Sequence, residues 1–131
     1  VTGALRVALV LLLFAHAVAH LVGFVVPWRL ATLPEMPYRT TILGGALDLG
    51  AVGIRIYGLL WLGLGVAFAI AAGALLLSTP WWYRLTLISA AWSLVMCVAG
   101  WPDARFGVAA NLVVLALAIV SMYAGWLRAH G

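Results

Sequence analysis

Leu5-Arg6-Val7-Ala8-Leu9-Val10-Leu11-Leu12-Leu13-Phe14-Ala15-His16-Ala17-Val18-Ala19-His20-Leu21-Val22-Gly23-Phe24-Val25-Val26 is apolar apart from Arg6, His16 and His20, and it stops at Pro27. A membrane-spanning helix needs about 20 consecutive, mostly apolar residues, and residues 5–26 meet that length. The beginning of the run imitates a secretory leader, with Arg6 ahead of an apolar stretch and small residues at Ala15, Ala17 and Ala19. Apolarity continues to Val26, past the reach of a leader's hydrophobic segment. The expectation is a retained span.

The rest of the chain has the same character. Of its 131 residues 67% are hydrophobic and 8% charged, and the mean hydropathy is +1.21. A soluble domain is about 45–50% apolar and about 25% charged. A chain this short leaves a large fraction of its surface exposed, so the excess apolar surface must face lipid. That excludes a soluble enzyme, a nucleic-acid-binding domain and a disordered chain. The expected partner is the lipid bilayer, with a membrane-protein partner or a second copy of the chain as a further possibility.

Three more runs have spanning length, giving helices over about 5–26, 54–77, 81–100 and 104–127 in a single integral membrane domain covering 1–131. Thr79 before Pro80 reads as an N-cap followed by proline at the first helical position. Gly100 closes the third helix and Asp103 caps the fourth. Trp28 and Trp101 mark one membrane interface, and Trp81, Trp82, Tyr83 and Trp126 the other. The fold class is therefore an all-α, four-transmembrane-helix bundle. Between its first two helices lies the one long connection. There, Tyr38–Leu43 and Ala46–Leu49 flank Gly44-Gly45, a pair suited to the positive φ of a two-residue hairpin turn. The alternative for this segment is an apolar interfacial loop or short helix.

All seven basic residues are arginine and stand singly, so no basic patch forms that could track phosphates. Arginine without lysine, alongside abundant Ala, Gly and Val, points to a GC-rich bacterial genome and hence to the bacterial inner membrane. Four spans put both termini on one side, side A, with Arg6, Arg84 and Arg128. Side B carries Arg29, Arg39, Arg55 and Arg105 together with all three acids, Glu35, Asp48 and Asp103. The positive-inside count is nearly balanced. The orientation adopted is termini cytoplasmic, with the acids paired to side-B arginines.

Some polar residues are not explained by lipid. Histidine in a spanning helix is costly and faces the bundle interior or a wet cavity. His16 and His20 are four apart, on one helical face. At 1.5 Å per residue they lie roughly 15 Å and 9 Å below Val26. Ser89, Ser93 and Cys97 repeat the four-residue step on the third span, and Asn111 lies about 12 Å below Asp103 on the fourth. Gly65, Ala69 and Gly73 give the second span a small-residue face for close helix approach. These placements predict a polar pocket opening toward side B, lined by His16, His20, Ser89, Ser93 and Asn111 and rimmed by Arg39, Asp48, Arg55, Asp103 and Arg105.

Several chemistries suit such a pocket. His16 and His20 as a His-x-x-x-His pair are candidate metal ligands, but a catalytic centre needs a third ligand, from Asp48 or Asp103, and an open position. His130 lies across the membrane. The pair also lacks the glutamate of His-Glu-x-x-His. Haem through a single histidine is a second cofactor reading. A serine or cysteine nucleophile lacks an acid placed to orient a histidine. The plainest alternative is that His16, His20, Ser93 and Asn111 hydrogen-bond across helices and fix their register.

The stretches Ala15–Phe24, Pro37–Gly45, Gly53-Ile54-Arg55 and Gly100-Trp101-Pro102-Asp103-Ala104-Arg105-Phe106-Gly107, with Asn111 following, resemble a family of small, uncharacterised four-helix bacterial membrane proteins. The resemblance covers nearly the whole chain, implies the same architecture and supplies no reaction. In helix count and size alone the chain is also similar to the DoxX-like four-helix membrane proteins, some of which are linked to quinone or thiol redox chemistry. Three functional classes follow. The leading one is an accessory protein, binding a small or lipophilic ligand in an intramembrane pocket or packing against membrane partners. The others are a membrane-embedded redox or metal-dependent enzyme using His16 and His20, and a subunit of a transporter.

Overall fold

The computed structural model describes residues 2–125. Trp126, Arg128 and His130, and the end of the fourth span at Leu127, lie outside the described residues. The chain forms α1 (Thr2–His20), α2 (Val22–Val25), β1 (Thr41–Ile42), β2 (Leu47–Asp48), α3 (Gly50–Leu76), α4 (Trp82–Ala99) and α5 (Arg105–Ala124). Four helical stretches, Gly3–Val25, Gly50–Leu76, Trp82–Ala99 and Arg105–Tyr123, are long and apolar enough to cross a membrane. Only 22% of the first and fourth and 39% of the second and third is buried inside the bundle, so the remaining apolar surface faces lipid. This is a four-helix integral membrane protein.

The helices pack in sequence order, α1 on α3, α3 on α4, and α4 on α5. In the side-A half an apolar core joins all four spans through Leu9 and Leu13 of α1, Phe68 and Leu75 of α3, Trp82 and Ala90 of α4, and Val114 of α5. Trp82 is 3% exposed. It is part of this core rather than of the interfacial belt expected for it, whereas Trp81 is exposed. Gly65 of α3 sits against α1, where a Cβ would lie 3.1 Å from the Ala17 carbonyl and 3.3 Å from His20 Cβ. Gly73 faces open space. Of the two glycines on the small-residue face, Gly65 serves close approach to α1 and Gly73 does not.

The boundary signals divide. Gly100 is the C-cap of α4, as its position implies. Thr79 does not cap α4, whose N-cap is Trp81. Its Oγ1–H and its backbone N–H both donate to the Ala74 carbonyl, at 3.0 Å and 2.9 Å. A helix end leaves carbonyls unpaired as surely as a helix start leaves amides, and Thr79 serves the helix behind it. Asp103 does not cap α5 either. The N-cap is Ala104, without a side-chain cap, and Asp103 pairs with Arg39 instead.

The hairpin between the first two spans forms around its Gly-Gly pair. Gly44 and Gly45 take φ of 64° and 92°, and the Ala46 N–H donates to the Leu43 carbonyl at 3.2 Å. Thr41 pairs with Asp48 and Ile42 with Leu47. With Ile42 paired to Leu47 the turn holds four residues rather than the two expected, because Leu43 itself takes φ of 55° and leaves extended conformation.

Candidate functional site

α1 and α5, the first and last spans, are not among the closely packed helix pairs. They are joined by side chains, and the space above that junction is a cavity of about 790 Å³ in the side-B half. The loop carrying Leu33, Met36, Arg39 and Ile42 and the connection Trp101–Phe106 enclose its outer end. His16, His20 and Asn111 line its inner end, with Tyr57, Trp61 and Cys97 in its wall. Small-molecule pockets measure about 300–1,000 Å³ and are mostly apolar with a few placed polar groups. In size and lining the cavity falls within that description.

Four of the sequence candidates form one hydrogen-bonded cluster. His16 Nε2 is 3.0 Å from Asn111 Oδ1. Asn111 Nδ2 is 2.9 Å from Ser93 Oγ and 2.8 Å from the Gly107 carbonyl, with Cys97 Sγ at 3.5 Å. His20 Nε2 is 2.7 Å from Ser93 Oγ, and His20 Nδ1 is 2.7 Å from the His16 carbonyl. The cluster spans α1, α4 and α5, near the middle of the membrane.

Two backbone carbonyls fix the direction of every bond, since a carbonyl only accepts. Gly107 orients the Asn111 amide with Nδ2 toward it, so Oδ1 faces His16 and accepts from His16 Nε2–H. The His16 carbonyl requires the hydrogen of His20 on Nδ1, which leaves Nε2 as an acceptor for the Ser93 hydroxyl. Ser93 Oγ in turn accepts from Asn111. The hydrogens therefore run one way, from the His16 ring through Asn111 and Ser93 to His20 and back to the His16 backbone. Each imidazole makes these bonds with a single ring hydrogen. The rings are held by packing as well. They lie edge to face with centroids 4.7 Å apart, His16 is 4.6 Å from Phe68, and His20 is 5.3 Å from Trp61.

The other candidates divide around this cluster. Ser89 is buried one turn below Ser93 and makes none of the cluster's hydrogen bonds. Neither serine forms part of the cavity wall. Arg39, Asp103 and Arg105 line the mouth, where Arg39 Nε donates to Asp103 Oδ2 at 3.1 Å. Arg105 lies over the Phe106 ring at 4.9 Å. Asp48 and Arg55 are not at the mouth. Asp48 Oδ1 accepts from the Gly50 N–H at 2.9 Å. That bond, with a further one from Thr40, holds its carboxyl below the usual carboxylate range. The Arg55 guanidinium lies over the Trp28 ring at 5.6 Å, and its carbonyl accepts from Trp28 Nε1 at 3.0 Å.

The pocket is less polar than expected, because His20, Ser93 and Asn111 spend their polar atoms on one another. A catalytic metal held by His16 and His20 would need a third ligand. His20 has both nitrogens engaged, Asp48 and Asp103 turn to Gly50 and Arg39, and among the described residues no three His, Cys, Asp or Glu side chains converge on one point. Tyr57 and Trp61 are wall residues absent from the sequence-derived candidates. The signal that marks them is the four-residue step from Tyr57 through Trp61 to Gly65, which continues the buried face of α3. Tyr57 Oη–H also donates to the Met96 carbonyl at 2.9 Å and ties α3 to α4.

In comparison with known proteins, no family model, curated protein or solved structure matches this chain. A function for the chain therefore rests on the geometry of its site.

Proposed function

We propose that this multi-pass membrane protein is a binding protein for a small, neutral, lipophilic molecule, which it holds in the side-B cavity. One observation carries the reading: a cavity of about 790 Å³ that reaches from the charged mouth to the imidazole of His16. Hydrogen bonding across helices accounts for His20, Ser93 and Asn111, but such bonding needs no cavity beside it. Charge at the mouth is balanced, Arg39 and Arg105 against Glu35 and Asp103, which favours a neutral occupant over an ion. In this reading the site residues are His16, His20 and Asn111 at the inner end and Arg39, Asp103 and Arg105 at the mouth, with Ser93 acting from behind the wall. Residence in a bacterial inner membrane with cytoplasmic termini belongs to the same proposal.

The test fills the space. Ala110 lines the cavity, so Ala110→Phe places a ring inside it. The measurement is the thermal shift of detergent-purified protein with a series of neutral alkylbenzenes and alkylphenols. Saturable stabilisation of the wild type that Ala110→Phe abolishes is the expected result. No saturable shift with any member of the series would end this reading.

A further inference from the structure

We infer that the occupant of the cavity donates a hydrogen bond to His16 Nδ1, so that the ligand class is a neutral lipophilic molecule carrying a hydroxyl, an alcohol or a phenol. This rests on the cavity being a ligand site, as proposed above, and adds the chemistry of recognition.

The inference follows from the direction of the hydrogen-bonded cluster. The Gly107 carbonyl sets the Asn111 amide, the Asn111 carbonyl oxygen then requires the hydrogen of His16 on Nε2, and a neutral imidazole with its hydrogen on Nε2 presents a bare lone pair on Nδ1. His16 Nδ1 is the one ring nitrogen of the two histidines with no hydrogen-bond partner among the described residues. It is not sealed in protein, since Arg6 Nε is the one buried side-chain nitrogen or oxygen without a partner among them. His16 itself is a wall residue of the cavity.

An acceptor at the inner end of an apolar cavity discriminates by chemistry. A hydroxyl placed there pairs with Nδ1. A carbonyl or ether oxygen meets a second lone pair and loses its water without compensation. A site built to bond a hydroxyl rejects the analogue without one far more strongly than an apolar pocket rejects a missing methylene. The remaining lining is apolar enough to hold the body of such a molecule, and Trp61 and Tyr57 are part of it.

Matched probes separate this inference from the reading beneath it. Binding of 4-hexylphenol and of its methyl ether, 4-hexylanisole, is measured on the full chain in detergent by thermal shift and calorimetry. The phenol is expected to bind at least tenfold more tightly. His16→Leu should erase that preference, whereas Ser89→Ala, outside the cavity wall, should keep it. A second readout needs no variant: in protein with 15N-labelled histidine, the His16 Nδ1 resonance should report an unprotonated nitrogen and move on adding the phenol but not the ether. Equal binding of both probes would overturn the hydroxyl assignment and leave the cavity reading standing. Binding of neither, with no saturable shift from the rest of the alkylbenzene and alkylphenol series, would overturn both. A protonated Nδ1 in the unliganded neutral protein would overturn the assignment by itself.

Discussion

The Asn111 amide donates to the carbonyl of Gly107, one helical turn earlier on the same helix, at 2.8 Å, and this local bond dictates which way hydrogens point on two other helices. A side chain that binds its own i−4 carbonyl is held without help from neighbours, so its second donor and its oxygen are presented to Ser93 and His16 in fixed positions. Asn111→Asp keeps the shape and reverses the chemistry, setting a carboxylate oxygen against the Gly107 carbonyl. We expect it to destabilise the bundle by about 3–5 kcal/mol, the range for a buried charge without adequate pairing. Asn111→Ala should cost only about 1–2 kcal/mol, as for an interhelical hydrogen bond in a membrane. Thermal or denaturant unfolding in detergent measures both, and equal stability of Asn111→Asp and wild type would show that Gly107 does not set the amide.

Ser93 and Ser89 are both buried on α4, one turn apart, yet only Ser93 joins the cluster. Ser93→Ala strips His20 of its donor and Asn111 of an acceptor, and should lower stability by about 1–3 kcal/mol. Ser89→Ala should stay within about 0.5 kcal/mol of the wild type. The comparison of the two melting temperatures is the check, and a larger effect at Ser89 would count against the cluster as drawn.

The pair across the mouth is of another kind. The side chains of Arg39 and Asp103 are 57% and 25% exposed, and exposed ion pairs contribute about 0–1 kcal/mol and weaken with salt. Asp103→Asn should therefore destabilise by less than about 1 kcal/mol, though by more than Glu35→Gln, and the difference should shrink between low and high salt. Unfolding of the three proteins at two ionic strengths decides it.

Packing between α4 and α5 depends on a missing side chain. A Cβ on Gly107 would lie 2.5 Å from Cys97 Sγ, so that either the thiol or one of the helices must shift. Gly107→Ala should cost about 1–3 kcal/mol through overpacking. Cys97→Ala in the same chain should recover much of that loss, a coupling that a double-mutant cycle reads directly.

How much of this the sequence discloses varies by residue. His16 and His20 share a face because helical periodicity is rigid, and the depths of Ser93 and Asn111 follow from a fixed rise per residue, so their meeting is legible from spacing alone. Asp103 shows where such reading ends. An aspartate just before a helix suits both a cap and an ion pair, and the choice depends on where a long loop delivers Arg39. Thr79 departs from its expected role for the same reason: a threonine between two helices can serve either, and the carbonyls of the preceding helix are nearer. The surroundings of Gly73 and Trp82 depend on how the helices are placed about one another, which periodicity does not encode. The gap between α1 and α5 is tertiary as well. It arises from the order in which the helices pack, and no single stretch of the chain carries it.

The two halves of the bundle, filled toward side A and hollow toward side B, give each long helix two kinds of position. On α5, Val114 belongs to the solid part and Asn111, three residues away, to the margin of the hollow one. Below that level a side chain fills a solid core, and above it a side chain shapes the wall of the cavity. A scan along α5 would pass from one kind of position to the other within a single turn, between Asn111 and Val114.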